Sequence, residues 1–300
     1  KSVVEATDSS VVIFENEVGG TQLNNLENAL GVTVMDRSTL IIEIFARHAT
    51  TNEGKLQVEL MKKKKQLPRV LGQGVALSRQ GGGGAGGGGA RRGGGEQQQE
   101  IDKRSIRYEI RELEKKLKKL EAERAVRRER RLKNAVKVVS LVGYTNAGKS
   151  SLMNVLTNAG VGVEDKLFAT LDPVVRRMRL SGGEILLVDT VGFISDLPHD
   201  FVRAFRSTLE ETRYSDLLLH VVDSSDVNCA EQYAVVDDVL EKIGAGGIPV
   251  LAVLNKCDRL PDDAVLPAGV RSVRTSATLK LGIDDLKEAM NELLFGKGER

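Results

Sequence analysis

Residues 143–150, Gly-Tyr-Thr-Asn-Ala-Gly-Lys-Ser, constrain the fold more than any other stretch of this chain. They match G-x-x-x-x-G-K-S, a pattern that works only as a loop between a β-strand and the start of an α-helix. The apolar run 136–142 supplies the strand, and the helix is expected to follow from Lys149. Gly143 and Gly148 let the loop wrap so that backbone N–H groups point at phosphate oxygens. The expected cradle is Gly143, Tyr144, Thr145, Asn146, Ala147, Gly148, Lys149, Ser150 and Ser151. Lys149 reaches the outer phosphates, and the Ser150 hydroxyl is a ligand for Mg²⁺.

After this loop, short β-branched segments alternate with helical ones. Strands are expected at 136–142, 184–189, 217–222, 249–254 and 271–275. That alternation implies an α/β domain over 135–300, with a mostly parallel sheet covered by helices on both faces. Asp189 ends the second of these strands in Asp-Thr-Val-Gly, placed to reach the metal through water, and Gly192 can offer its N–H to a γ-phosphate. Asn255-Lys256-Cys257-Asp258 sits at a later strand end and selects the base. The Asp258 carboxylate can accept both the N1–H and the exocyclic amine of guanine, whereas adenine would leave it unpaired. Asn255 can tie this loop to the phosphate loop, the Lys256 stem can cover the ring, and Ser276-Ala277 supplies a backbone N–H for the guanine oxygen. Between the first two elements, Phe168-Ala169-Thr170 places Thr170 where a switch threonine ligates Mg²⁺ once the γ-phosphate is present. A P-loop GTPase site follows, with Lys149, Thr170 and Gly192 as its catalytic residues and Ser150 and Thr170 as its metal ligands.

Upstream, 1–50 reads as part of an α/β domain: a strand at 11–14, a helix near 22–30 and a strand at 32–35. Those elements alone are too few to bury a core, so more chain is expected before Lys1. Residues 51–134 read as an antiparallel helical hairpin. Its first helix is expected at 52–71, kinked or interrupted at Pro68, and its second at 100–134. In the second, Ile106, Ile110, Leu113, Leu117 and Leu120 alternate steps of four and three, a coiled-coil seam. The tip, 81–95, holds eleven glycines in fifteen positions. It is either a slack tether or a loop whose backbone must press against a partner.

The net charge of +2 hides a segregation. Residues 101–134 carry fourteen Lys and Arg against seven Asp and Glu, while 135–300 carry eighteen against twenty-four. The middle segment would attract a polyanion, or else simply solvate a coiled-coil flank. No apolar run reaches the ~18 residues of a membrane span. Two cysteines and no secretory leader fit a reducing cytoplasm, and a monomer is expected.

The stretches 140–152, 168–173, 189–211 and 217–226, together with 23–60, 67–83 and 100–104, resemble the HflX family of ribosome-associated GTPases. The resemblance spans nearly the whole chain. It implies GTP and GDP as ligands and a large ribosomal subunit with its rRNA as partner, without DNA. It also implies stimulated hydrolysis that splits stalled or idle ribosomes. The runners-up are an assembly or hibernation factor that binds rRNA without splitting, and a GTP-dependent protein-binding switch. The tip would face RNA, with Arg91, Arg92, Lys103 and Arg104 as contact candidates; Gly94 replaces the family's proline there. Phe193 stands where Ras-type enzymes carry a water-orienting glutamine, so a partner or a cation must complete the site. Asn146 is similar to the asparagine of potassium-activated GTPases, which implies K⁺ beside Mg²⁺. His199 reads as structural.

Overall fold

Strands β1 (Val11–Phe14) and β2 (Thr33–Asp36) pair in parallel, Val11 opposite Thr33 and Phe14 opposite Asp36. Parallel neighbours need a crossover, and helix α2 (Gly20–Leu30) provides it. This is the start of a computed structural model that describes residues 1–80, 92–133, 136–158, 168, 173–195, 212–259 and 269–296, and the backbone alone for 71–80, 92–99 and 127–133. The chain forms two compact units, Lys1–Glu121 and Ala122–Arg300.

The first unit begins with a short helix α1 (Ser2–Ala6) and holds a helix that the sequence reading leaves unassigned, α3 (Arg37–His48). Its β-branched, apolar composition is ambiguous between strand and helix. Burial decides it: Ser38, Ile41, Ile42 and Phe45 recur at helical spacing and are all buried. Asp36 caps α3, its Oδ1 accepting Thr39 N at 2.8 Å and Thr39 Oγ1 at 2.6 Å, while Lys65 pairs with its Oδ2 at 2.8 Å. Leu23, Val34, Ile41, Ile42 and Phe45 share this unit's core with Val58, Leu60 and Met61 of helix α4 (Asn52–Gln80). Helices α3 and α4 thus add apolar surface to the two strands and α2.

Of the kink or interruption expected at Pro68, helix α4 excludes the interruption, since it continues past the expected end at 71 to Gln80. Pro68 removes one hydrogen bond from the helix ladder, a cost of about 3 kcal/mol, and close packing offsets it. The start of α2 lies so near that a Cβ on Gly20 would stand 2.6 Å from Arg69 Cα and 2.8 Å from Pro68 O. Helix α5 (Arg92–Lys133) starts earlier than expected, so the last glycines of the tip are helical; 81–91 lie outside the described residues. Ile106 and Leu113 of its seam are buried, and Glu109 and Glu114 pair with Lys63 and with Lys64 (2.9 Å) of α4.

The second unit is built on a six-stranded sheet in the order β4-β5-β3-β6-β7-β8. Strands β3 (Lys137–Gly143), β5 (Gly183–Asp189), β6 (Leu217–Asp223), β7 (Val250–Asn255) and β8 (Ser272–Arg274) run parallel. Strand β4 (Val174–Leu180), absent from the sequence reading, pairs antiparallel with β5 at the sheet edge. Arg176, Arg177 and Arg179 mask its alternation, and only Met178 and Leu180 are buried. Helices α6 (Lys149–Thr157), α7 (Cys229–Lys242) and α8 (Ile283–Phe295) cover the sheet. Leu141, Leu187, Leu217, Leu219, Leu251 and Val253 are fully buried and form an apolar platform whose strand ends carry the site. Among the described residues no helix is long and apolar enough to cross a membrane.

Candidate nucleotide-binding site

The phosphate loop leaves the end of β3 and enters α6. Gly143 has φ 151°, and a Cβ there would stand 2.2 Å from Val221 O on the neighbouring strand, so only glycine fits. Gly148 caps α6 at φ 93°, and its missing Cβ leaves room for the Asn255 amide, whose Nδ2 would be 2.3 Å away. Asn146 takes a left-handed φ of 61° and is exposed, while Ala147 is buried. Ser151 continues the first turn of α6.

Lys149 is 6% exposed and donates to Gly143 O (3.1 Å) and Tyr144 O (2.8 Å). Burial pushes its ammonium down to about 8, against the pull of the Asp189 carboxylate. Ser150 Oγ donates to Asp189 Oδ2 at 2.6 Å, so the hydroxyl and carboxylate expected to serve one metal do meet. Phe168 is buried, and its N–H donates to Thr145 Oγ1 at 3.2 Å. Thr170 and His199 lie outside the described residues.

One side chain joins the loop expected to read the base to the phosphate loop. Asn255 is 1% exposed; its Nδ2 donates to Ala147 O at 2.9 Å, and its Oδ1 accepts Ala277 N at 3.1 Å and Thr275 Oγ1 at 3.4 Å. The Ser276 hydroxyl holds the Asp258 carboxyl below the usual carboxylate range, so it is ionised. Lys256, left-handed at φ 59°, pairs with Asp223 Oδ2 at 2.6 Å. Sequence reasoning missed that anchor, as it missed Ser224, whose Oγ donates to Asn255 O at 2.6 Å. The signal was Asp-Ser-Ser-Asp at the end of β6, polar residues where a strand leaves the core. Phe193 is 2% exposed and packs with Val142, Leu218, Val236 and Val239, so its ring is a core anchor. His220 is buried and stacked 4.1 Å from Tyr233; burial pushes its imidazole down to about 3, and the nearby Lys149 adds to this, so it stays neutral.

Of the expected RNA contacts, Arg91 lies outside the described residues, and Arg92 is described only as backbone at the head of α5. Lys103 and Arg104 both reach Glu100, at 3.4 and 3.9 Å.

This loop, sheet order and base-reading loop define a P-loop GTPase, which hydrolyses GTP. A family model described as a 50S ribosome-binding GTPase matches residues 138–256. Models of a GTP-binding GTPase middle region and N-terminal region match 48–131 and 1–46. GTPase HflX of Caldanaerobacter subterraneus is 50% identical over all of this chain and 68% of its own length. That of Escherichia coli is 45% identical over 98% of this chain and 69% of its own. A GTP-binding protein from Sulfolobus solfataricus, solved with GDP, superposes with a TM-score of 0.54 at 25% identity, over 96% of this chain and 81% of that one. The chain belongs to the HflX family of GTPases.

Proposed function

We propose that this chain hydrolyses GTP on the large ribosomal subunit, grips ribosomal RNA through one face of α5, and separates stalled or idle ribosomes into subunits. The observation that carries the ribosomal part is a segregation of charge. At about 100° per helical residue, Arg104, Arg107, Tyr108, Arg111, Lys115 and Lys118 fall on one face of α5, with Lys119 at its margin. No Asp or Glu between 101 and 119 shares that face. All seven residues are exposed, Tyr108 at 60%. Among the described residues Arg107, Arg111, Lys115 and Lys118 have no ion-pair partner, while the acidic Glu109 and Glu114 turn to the lysines of α4. A solvated flank would intersperse both signs; this one presents cations every ~5–6 Å over ~20 Å. Such spacing suits successive phosphates, with Tyr108 free to stack on a base. A groove of about 800 Å³ beside it, floored by Leu67 and Ile110, adds apolar surface.

At the nucleotide, Lys149 binds the β- and γ-phosphates, the Gly192 amide meets the γ-phosphate, and Asp258 reads guanine. The donor set at Ser150 and Asp189, a hydroxyl and a carboxylate 2.6 Å apart, fits a hard divalent cation. Ser150 and Thr170 would hold Mg²⁺ directly and Asp189 through water; when bound, it neutralises charge on the phosphates. Asn146 would hold K⁺. Because Phe193 is locked in the core, the group that orients the attacking water comes from the ribosome or from K⁺.

Gradient analysis of ribosomes incubated with the protein and GTP tests this reading. The expected result is nucleotide-dependent subunit separation, lost in an Arg107→Glu/Arg111→Glu variant that still binds GDP. Binding without separation would favour an assembly or hibernation factor. Unchanged ribosome affinity in the variant would refute the role of α5.

A further inference from the structure

The β3–β5 ladder does not end with the strands. Lys137–Leu141 pair with Ile185–Asp189 at a constant offset of 48, and a parallel bridge then joins Tyr144 to Phe193 at an offset of 49. The extra residue is taken up within 190–192, a bulge in which Thr190 Oγ1 donates to the buried Leu141 O at 2.6 Å. Beyond it, Phe193 N donates to Gly143 O (3.1 Å) and Thr145 N donates to Phe193 O (2.7 Å).

A side chain closes the arrangement. The Tyr144 hydroxyl accepts Ser195 N–H at 3.0 Å and shares a 3.0 Å hydrogen bond with Ser195 Oγ. The Tyr144 ring packs against the cluster that buries Phe193. The segment 192–195 is thus fastened to the phosphate loop by main-chain bonds, by the Phe193 ring below and by the Tyr144 hydroxyl beyond. Gly192 is pressed onto the loop as a result: a Cβ on it would stand 2.7 Å from Thr145 Cα and 3.0 Å from Lys149 Nζ.

We infer that Tyr144 is a positioning residue for hydrolysis: its hydroxyl fixes the main chain at Ser195 and so holds the Gly192 amide beside Lys149. This takes GTP hydrolysis as given and assigns a side-chain role inside the phosphate loop. The chemistry makes the role specific to the triphosphate. GDP has no γ-phosphate for Gly192 to meet, so the clasp contributes to GTP binding and turnover and not to GDP binding.

Tyr144→Phe keeps the ring packing and removes only the hydroxyl. Single-turnover hydrolysis and fluorescent-nucleotide titrations should show kcat and the GTP-over-GDP preference falling about three- to tenfold, the scale of losing the bond that fixes the Ser195 main chain. GDP affinity and Tm should stay near wild type. Ser195→Ala removes only the hydroxyl–hydroxyl bond and keeps the main-chain bond that does the positioning, so it should stay within about twofold of wild type. Wild-type turnover measured alongside separates a failure of this inference from a failure of hydrolysis itself. An unchanged kcat in Tyr144→Phe would overturn the role, as would equal losses for GDP and GTP. A Ser195→Ala defect as deep as that of Tyr144→Phe would overturn it too.

Discussion

Raising the pH should weaken nucleotide binding through Lys149. In the unfolded chain its ammonium keeps its proton until 10.5; in the fold it loses it at about 8, because burial penalises the charge. That difference makes charged Lys149 cost the ligand-free fold about 3 kcal/mol. The cost is fully present at neutral pH and disappears as the pH rises from about 8 towards 10.5, so the ligand-free protein gains stability across that window. A polyphosphate reverses the balance by restoring the charge, so binding above pH 8 must take up a proton. At about pH 9 only about a tenth of the free protein carries the proton, and GDP affinity should be about tenfold weaker than at about pH 7. Titration with fluorescent GDP across this range reads the affinity, and calorimetry in two buffers of different ionisation enthalpy reads the proton uptake. A flat affinity with no proton uptake would refute the reasoning, since Lys149 would then be charged throughout.

Asp258→Asn exchanges two charge-assisted acceptor bonds for an amide, so GTP affinity should fall by about 100- to 1,000-fold while binding of xanthosine triphosphate improves, measured by competition. Asn255→Ala leaves Ala147 O and Ala277 N without their buried partner and should lower unfolding free energy by about 2–4 kcal/mol in urea denaturation. Gly143→Ala would drive a Cβ to 2.2 Å from Val221 O, and its soluble yield or Tm should collapse even without ligand. In the Arg107→Glu/Arg111→Glu variant, the slope of log affinity for large subunits against log salt should lose about two counter-ions' worth.

Residues whose chemistry admits few substitutes were legible in the sequence. A strand ending in a glycine that clears Val221 O, a lysine at a helix start and an Asn–Asp pair after a core strand each announce a contact that other residue types could not make. Elements decided by packing were less legible. Helix α3 could have been a strand until the burial of Ile41, Ile42 and Phe45 was known, and β4 hid behind its arginines because an edge strand buries only one face. Pro68 left a kink and an interruption both open because propensity is local, whereas the fit of Gly20 against Arg69 is tertiary. Long-range partners were invisible for the same reason. Nothing in a linear reading pairs Lys256 with Asp223, or the Tyr144 hydroxyl with Ser195. The glycine-rich tip keeps its two sequence readings, since 81–91 lie outside the described residues.

The proposed completion of this GTPase by the ribosome rests on Phe193, which the chain buries in place of a water-orienting glutamine. GTP hydrolysis in potassium buffer, measured alone and then with purified large ribosomal subunits, tests it most directly. Slow turnover alone and strong stimulation by the subunit are expected, the stimulation weakened when the basic face of α5 is reversed. Equal rates with and without the subunit would contradict it.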